Sequence, residues 1–467
     1  MTEPLDPVLA QALRRASRGD FERWIDLVHA SGCCAQPVRL SGRVRRADPA
    51  TGELTVVYST AGEPDRVLLK ACGTRRATRC SACAATYRGD AKALLRAGLA
   101  VDHQVEGGTD GNQPLVFVTL TAPSFGAVHR RSPGGACHPG PARRHCRHGQ
   151  PVTCTVDHEV GDPLVGQAVC GECYDYRASV VFNARAGELW RRTLIGVGRR
   201  LASSAGVSRA VFARQWRVSF AKVVEFQARG VVHIHALARL DHLAGPEALD
   251  GGDLAQAFML AAAQTTCPNP IAGQAPLRWG RQVDVRNIAP QARRAAAAYL
   301  AKYATKSVDD DGLLDRKLTG ADLSALGLSD HLRRMAETAW ALGGRADPAD
   351  LNLRTWAHSL GWRGHWLTKS RHWSTTFGQL RAARQQFRMA QLGITADEAE
   401  RRWGEWELVG VGHLNAGDAA IRAGRPGQWT SRSDWAALIS STTLRTSRMW
   451  ASTPPVSDCI SSISLVT

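Results

Sequence analysis

Two histidines one residue apart, His233 and His235, sit in the apolar run Val231-Val232-His233-Ile234-His235-Ala236-Leu237. Every neighbour in that run favours a buried β-strand. Side chains two apart on a strand share a face, so both imidazoles leave one surface together. Imidazole is the commonest metal ligand, and a pair at this spacing can grip one ion. Upstream, Glu225 lies in Lys222-Val223-Val224-Glu225-Phe226, also strand-like, and Gln227-Ala228-Arg229-Gly230 supplies a tight turn with its glycine. The hairpin so formed can bring a carboxylate across to the histidine face, giving two nitrogens and one oxygen around a cation. Simple packing of the imidazoles in a core is the competing reading, and the nearby carboxylate favours the metal.

A second group of reactive residues lies in Ala298-Tyr299-Leu300-Ala301-Lys302-Tyr303-Ala304-Thr305-Lys306, within an alanine-rich helix that Pro290 opens. At about 100° per residue, Tyr299, Lys302, Tyr303 and Lys306 fall on one helix face. A phenol titrates near 10 and needs help to act as a nucleophile at neutral pH. A neighbouring lysine stabilises both the phenolate and the charge that develops on a phosphate. A solvated helix face is the alternative, but tyrosine is not a typical solvent-face residue, and the alanines allow another surface to approach.

Around these groups the chain shows a helical pattern at Phe21-Glu22-Arg23-Trp24-Ile25 and a strand at Leu54-Thr55-Val56-Val57-Tyr58. Residues Tyr87 to Leu99 look helical, and the Gly107-Gly108-Thr109-Asp110-Gly111 turn marks a boundary. Leu115-Val116-Phe117-Val118-Thr119-Leu120-Thr121 reads as a buried strand closed by Pro123, and Trp190 to Leu201 as a basic amphipathic helix. Four regions are expected: 1–110 with a first cysteine group; 111–310, which holds the histidine and tyrosine groups and an insertion at about 132–175; a basic Trp/Arg-rich region at 311–440; and a disordered tail at 441–467.

The 467 residues carry a net charge of +17, which points to a polyanionic partner, nucleic acid above all. No apolar run is long enough to cross a bilayer, and Met1-Thr2-Glu3-Pro4 is not a secretory signal, so a cytoplasmic protein away from membranes is expected. Twelve cysteines in such a compartment suggest metal rather than disulfides. Cys72, Cys80 and Cys83, with Cys34 preferred over Cys33, make one four-ligand set for structural zinc. Cys137, Cys146, Cys170 and Cys173 are assigned to a second, with the choice among Cys146, His148 and Cys154 left open. Cys267 and Cys459 have no partners in the sequence.

From Leu351 to Arg388 there is no acidic residue, and basic side chains alternate with tryptophans. Arg363, Lys369, Arg371, Arg381 and Arg384 are expected to follow phosphates while Trp373 stacks on a base. A tryptophan-rich core with a basic rim is the competing reading.

Phe117-Val118-Thr119-Leu120-Thr121-Ala122-Pro123-Ser124, then His233-Ile-His235, then Tyr299-x3-Tyr303-x2-Lys306 resemble, in that order, motifs one, two and three of the HUH endonucleases. The nearest likeness is to rolling-circle replication initiators of actinobacterial plasmids and integrative elements. It runs from the first cysteine group to about Val411 and takes in Arg371-His372-Trp373-Ser374-Thr375-Thr376-Phe377-Gly378. The resemblance implies an α+β HUH-nuclease fold, with a central antiparallel sheet flanked by helices, cysteine-rich zinc-binding segments and a basic helical C-terminal region. It also implies an Mn2+ or Mg2+ site at His233, His235 and Glu225, since related viral initiators place a glutamate where Glu225 stands. Tyr303 matches the nucleophile. Single-tyrosine initiators carry a glutamate where this chain has Tyr299, so the chain looks more like the paired-tyrosine initiators of small phages. Such enzymes nick and join a single-stranded or extruded origin. A host DNA polymerase would extend the free end, and a host helicase would unwind the duplex, because the chain has no Gly-x4-Gly-Lys-Ser/Thr loop. An HUH transposase or relaxase, or a non-catalytic zinc-containing DNA-binding regulator, are the alternatives.

Overall fold

The computed structural model describes residues 6–99, 113–141, 144–245, 248–309, 317–319, 323, 327–345 and 351–423, with only the backbone of 305–309. The Gly107–Gly111 turn, the 441–467 stretch with Cys459, and the Lys306 side chain lie outside the described residues. Among those described, the strands are β1 (Val38–Ala47), β2 (Leu54–Ser59), β3 (Leu68–Lys70), β4 (Leu115–Leu120), β5 (Trp216–Phe226), β6 (Val232–His242), β7 (Thr266–Cys267), β8 (Leu277–Arg278), β9 (Val283–Asn287), β10 (Leu367–Lys369) and β11 (Arg402–Val411). No described helix is long and apolar enough to cross a membrane.

The chain divides into two compact units: residues up to Asp90 with those from Thr376 onward, and Ala91–Thr375. In the first, β1 pairs antiparallel with β11 along one edge and with β2 and β3 along the other. The buried Arg15 guanidinium ties the Pro7–Ala16 helix to the Ala416–Ala423 helix through two bonds to Asp418, each 2.9 Å. The strand pairing therefore crosses the regions drawn from the sequence. Residues 376–423 join the N-terminal residues, whereas 351–375 stay with the second unit. The C-terminal region contains the Asp330–Leu342, Phe377–Gln391, Ala396–Glu400 and Ala416–Ala423 helices, but Arg402–Val411 forms a strand, because its aromatic and β-branched residues fit a pleated surface.

The second unit is built on a five-stranded antiparallel sheet in the order β10-β5-β6-β4-β9. One face packs on the Tyr176–Ser204 and Gly251–Gln264 helices, where Val180, Val181, Phe182, Leu189, Val197, Leu201 and Phe258 are fully buried with Val224, Ile234 and Ala236. The long helix is basic outside and apolar inside, and it runs well beyond the Trp190–Leu201 core read from the sequence. The Arg293–Asp309 helix crosses β5 and β6, burying Ala297, Leu300, Ala301 and Ala304. A mixed α/β architecture with antiparallel sheets is thus present.

Candidate active site

The β5–β6 hairpin sets Glu225 directly across from His233, and Val223 across from His235. Strand alternation then puts Glu225, His233 and His235 on one face, while Ile234 and Ala236 enter the core on the other. The turn between the strands is held rigidly. Gly230 has φ +69°, a left-handed conformation that favours glycine, and a Cβ there would press to 2.7 Å on the Leu332 and Met335 side chains. Buried Asn183 donates to the Gly230 and Leu360 carbonyls at 3.0 and 2.9 Å and accepts from the Val232 amide at 2.9 Å. Leaving such groups unpaired would cost about 1–3 kcal/mol each.

His235 is 6% exposed, and its Nε2 lies 3.4 Å from Glu225 Oε2. The two imidazole centroids are 4.5 Å apart. Each ring is fixed from behind by β4: Thr119 Oγ1 lies 3.2 Å from His235 Nδ1, and Thr121 Oγ1 lies 3.2 Å from His233 Nδ1. A ligating Nε2 places the ring proton on Nδ1, where a threonine oxygen accepts it, and that is how metal-binding histidines are usually oriented. Burial and the neighbouring His235 push His233 down to about 4, so the ring is neutral near pH 7 and its lone pair is available. The donor set therefore fits a divalent cation. It is more open than the cysteine–histidine groups described below and does not reach their closeness of 4.8 Å between all ligand atoms.

The tyrosines stand over this face. The Tyr303 ring stacks on His235 with centroids 4.3 Å apart, and its hydroxyl donates to the Tyr299 hydroxyl at 2.6 Å. Tyr299 is 49% exposed and packs against Phe117, whose ring also meets His235. Burial, then the Tyr299 hydroxyl, raise Tyr303 above the ordinary phenol range. Lys302 is exposed on the same helix. Glu225, His233, His235, Tyr299 and Tyr303 are thus gathered in one place. Thr119, Thr121 and Phe117 belong to the site as well, with roles that the sequence motif alone does not assign. Their signal is the alternation on β4, which matches that of the histidines on β6.

The cysteines converge elsewhere. Cys34, Cys72, Cys80 and Cys83 form one group, with Sγ–Sγ separations of 3.6, 3.7 and 3.9 Å. These are close to the about 3.8 Å edge that zinc–sulfur bonds of about 2.3 Å give a tetrahedron. Cys137 does not join Cys146, Cys170 and Cys173 as assigned from the sequence. Their fourth partner is His148, whereas Cys137 meets His129, Cys154 and His158. The residues interleave along the chain, so nearness in sequence pairs them wrongly. Each of these groups could hold a metal ion.

The residues assigned to DNA differ in what they already touch. Trp373 is 2% exposed: Gly98 admits its indole, and Arg239 lies 5.4 Å over the ring, so it is packed rather than presented to a base. Lys369 Nζ donates to the Ser374 carbonyl at 2.7 Å, and Arg384 is paired with Asp90 at 2.8 Å. Both charges are already engaged. Arg363, Arg371 and Arg381 are exposed.

The family model of the replication initiator protein of pSAM2, RepSA, matches residues 20–425. A replication initiator protein from Streptomyces ambofaciens is 39% identical over 446 residues, covering 90% of this chain and 93% of that protein. No solved structure matches the chain at a significant level. The histidine hairpin, the tyrosine helix and all three cysteine groups fall inside the matched span, and the chain belongs to the RepSA family of replication initiator proteins.

Proposed function

We propose that the chain starts replication as an HUH-type nickase, cutting and rejoining one strand of its origin through a phosphotyrosine intermediate. The observation that carries this reading is the Tyr303 ring stacked at 4.3 Å on His235, beside Glu225 and His233. His233, His235 and Glu225 would hold a divalent cation, Mn2+ or Mg2+ given the mixed nitrogen and oxygen donors. Bound there, it would polarise the scissile phosphate and offset charge in the transition state.

The remaining chemistry belongs to side chains. The Tyr303 hydroxyl loses its proton and attacks phosphorus. The bond from phosphorus to the 3′ oxygen breaks, the 5′ phosphate stays on the tyrosine, and the 3′ oxygen leaves as a hydroxyl, taking from solvent one proton for the one that Tyr303 released to it. Lys302, exposed on the same helix, and Lys306, by its place in the Tyr299-x3-Tyr303-x2-Lys306 motif, would supply positive charge for the phenols. Tyr299 can take the reverse role when the strand is rejoined. The freed 3′ hydroxyl is the primer for a host polymerase, a host helicase unwinds the duplex in rolling-circle mode, and a second cleavage and ligation release a single-stranded circle. Exposed Arg363, Arg371 and Arg381 would track the DNA backbone of an unpaired origin, and Zn2+ would brace the cysteine groups. In this reading the second unit's sheet is an HUH-nuclease fold.

Incubation with an end-labelled single-stranded origin oligonucleotide and Mn2+ tests the proposal. A covalent protein–DNA band that survives denaturation is expected. Tight binding with no adduct and no cleavage would favour a non-catalytic regulator, and joining of unrelated ends would favour a transposase. Thr119→Val keeps the shape of the strand and removes the oxygen behind His235. Mn2+ affinity, measured by calorimetry, should fall about 10–100-fold. Unchanged affinity would remove Thr119 from the site.

A further inference from the structure

The two cysteine–histidine groups in residues 129–173 take no part in the nicking chemistry, yet their order along the chain is informative. His129 and Cys137 go to the first group, Cys146 and His148 to the second, Cys154 and His158 to the first, and Cys170 and Cys173 to the second. The pairs alternate, so neither group can close without the loops that carry the other.

The spacing within each group suits a tetrahedral ion. Bonds of about 2.3 Å to sulfur and 2.0–2.1 Å to nitrogen give edges of about 3.3–3.4 Å between nitrogens and about 3.5–3.6 Å between nitrogen and sulfur. His129 Nδ1 and His158 Nε2 are 3.3 Å apart, Cys154 Sγ is 3.5 Å from His158 Nε2, and Cys137 Sγ is 3.8 Å from His129 Nδ1. In the second group His148 Nδ1 lies 3.3, 3.7 and 4.0 Å from the sulfurs of Cys173, Cys170 and Cys146. The first group also has the outer partners of a built site. Asp162 Oδ2 sits 2.6 Å from His158 Nδ1, which turns Nε2 toward the other ligands, and the Arg130 amide donates to Cys137 Sγ at 3.2 Å.

The backbone explains why two ions are needed. An irregular hairpin pairs Cys137 with Val156 and His138 with Cys154 at its base, and Cys146 with Gln150 at its tip. Val156, Val160 and Leu164 point outward, 51, 80 and 45% exposed, so apolar burial does not hold the segment. The first group pins the base of this hairpin to His129, and the second ties its tip to the Cys170–Cys173 knuckle. Gly166, between the two halves, rests on the turn that carries Glu225 and His233: a Cβ there would lie 2.4 Å from the Ala228 carbonyl.

We propose that residues 129–173 form a cross-braced module holding two zinc ions, which with the Cys34 group gives the chain three structural zincs. Elemental analysis of the full-length protein should find three zinc per chain, and two or fewer would overturn the proposal. Cys154→Ser should leave one zinc, since loss of one ion frees the ligands of the other. Retention of two would overturn the bracing, and retention of three would overturn the ligand assignment. Should that variant fail to fold, zinc release from the wild-type chain into a colorimetric chelator answers the same question. Two equivalents should leave in a single kinetic phase, apart from the third; three separate phases would overturn the coupling.

Discussion

Tyr303→Phe should abolish the covalent protein–DNA adduct on a single-stranded origin oligonucleotide, a loss on the order of 10³-fold or more in cleavage rate. The substitution is unusually clean in this setting. Phenylalanine keeps the ring that stacks on His235 and gives up the hydroxyl, with its 2.6 Å bond to Tyr299. Stability and DNA affinity should therefore stay near wild type, which separates a chemical defect from a folding one. Tyr299→Phe removes the acceptor of that bond but leaves the Tyr303 nucleophile in place, so its first cleavage should be slowed far less. Rejoining, where a second phenol is needed, should suffer more. Mass spectrometry of the trapped peptide should find the nucleotide on Tyr303. An undiminished adduct in Tyr303→Phe would transfer the leading role to Tyr299.

The parts of this site that were legible in the sequence are those that depend on local periodicity. Alternation in Val231–Leu237 fixes which residues share a face, and Gly230, three residues before His233, marks the turn, so the β5–β6 hairpin could be drawn from the residues alone. The helical spacing of Tyr299 and Tyr303 is equally local. Long-range choices were not legible. Nothing near Cys137 says that its partners are His129, Cys154 and His158, because interleaved ligand pairs are sorted only by the three-dimensional path of the loops. Trp373 shows the same limit: basic neighbours suggested a nucleic-acid surface, but burial is decided by Gly98 and Arg239, far away in sequence. The pairing of β11 with β1 spans most of the chain, and no local pattern announces it.

His235→Ala should reduce cleavage on the order of 10³-fold while leaving binding to single-stranded origin DNA within a few-fold of wild type. Loss of a residue that merely orients a ligand costs about 10–100-fold, so loss of the ligand itself should cost more. His235 also carries the Tyr303 ring and sits 3.4 Å from Glu225, so its removal disturbs the ion and the nucleophile together. The expected signature is thus twofold: weaker Mn2+ binding by calorimetry, and residual activity that rises only at high Mn2+. Because the side chain is buried, a thermal melt must accompany the assay; a cavity of this size should lower stability by no more than about 1–3 kcal/mol. If cleavage and DNA binding instead fell in parallel with a collapse of the melting transition, the imidazole would be a core residue of the sheet. If cleavage persisted with Mn2+ affinity intact, the cation would have to be held elsewhere, and the stacking of Tyr303 on this face would need a different chemical explanation.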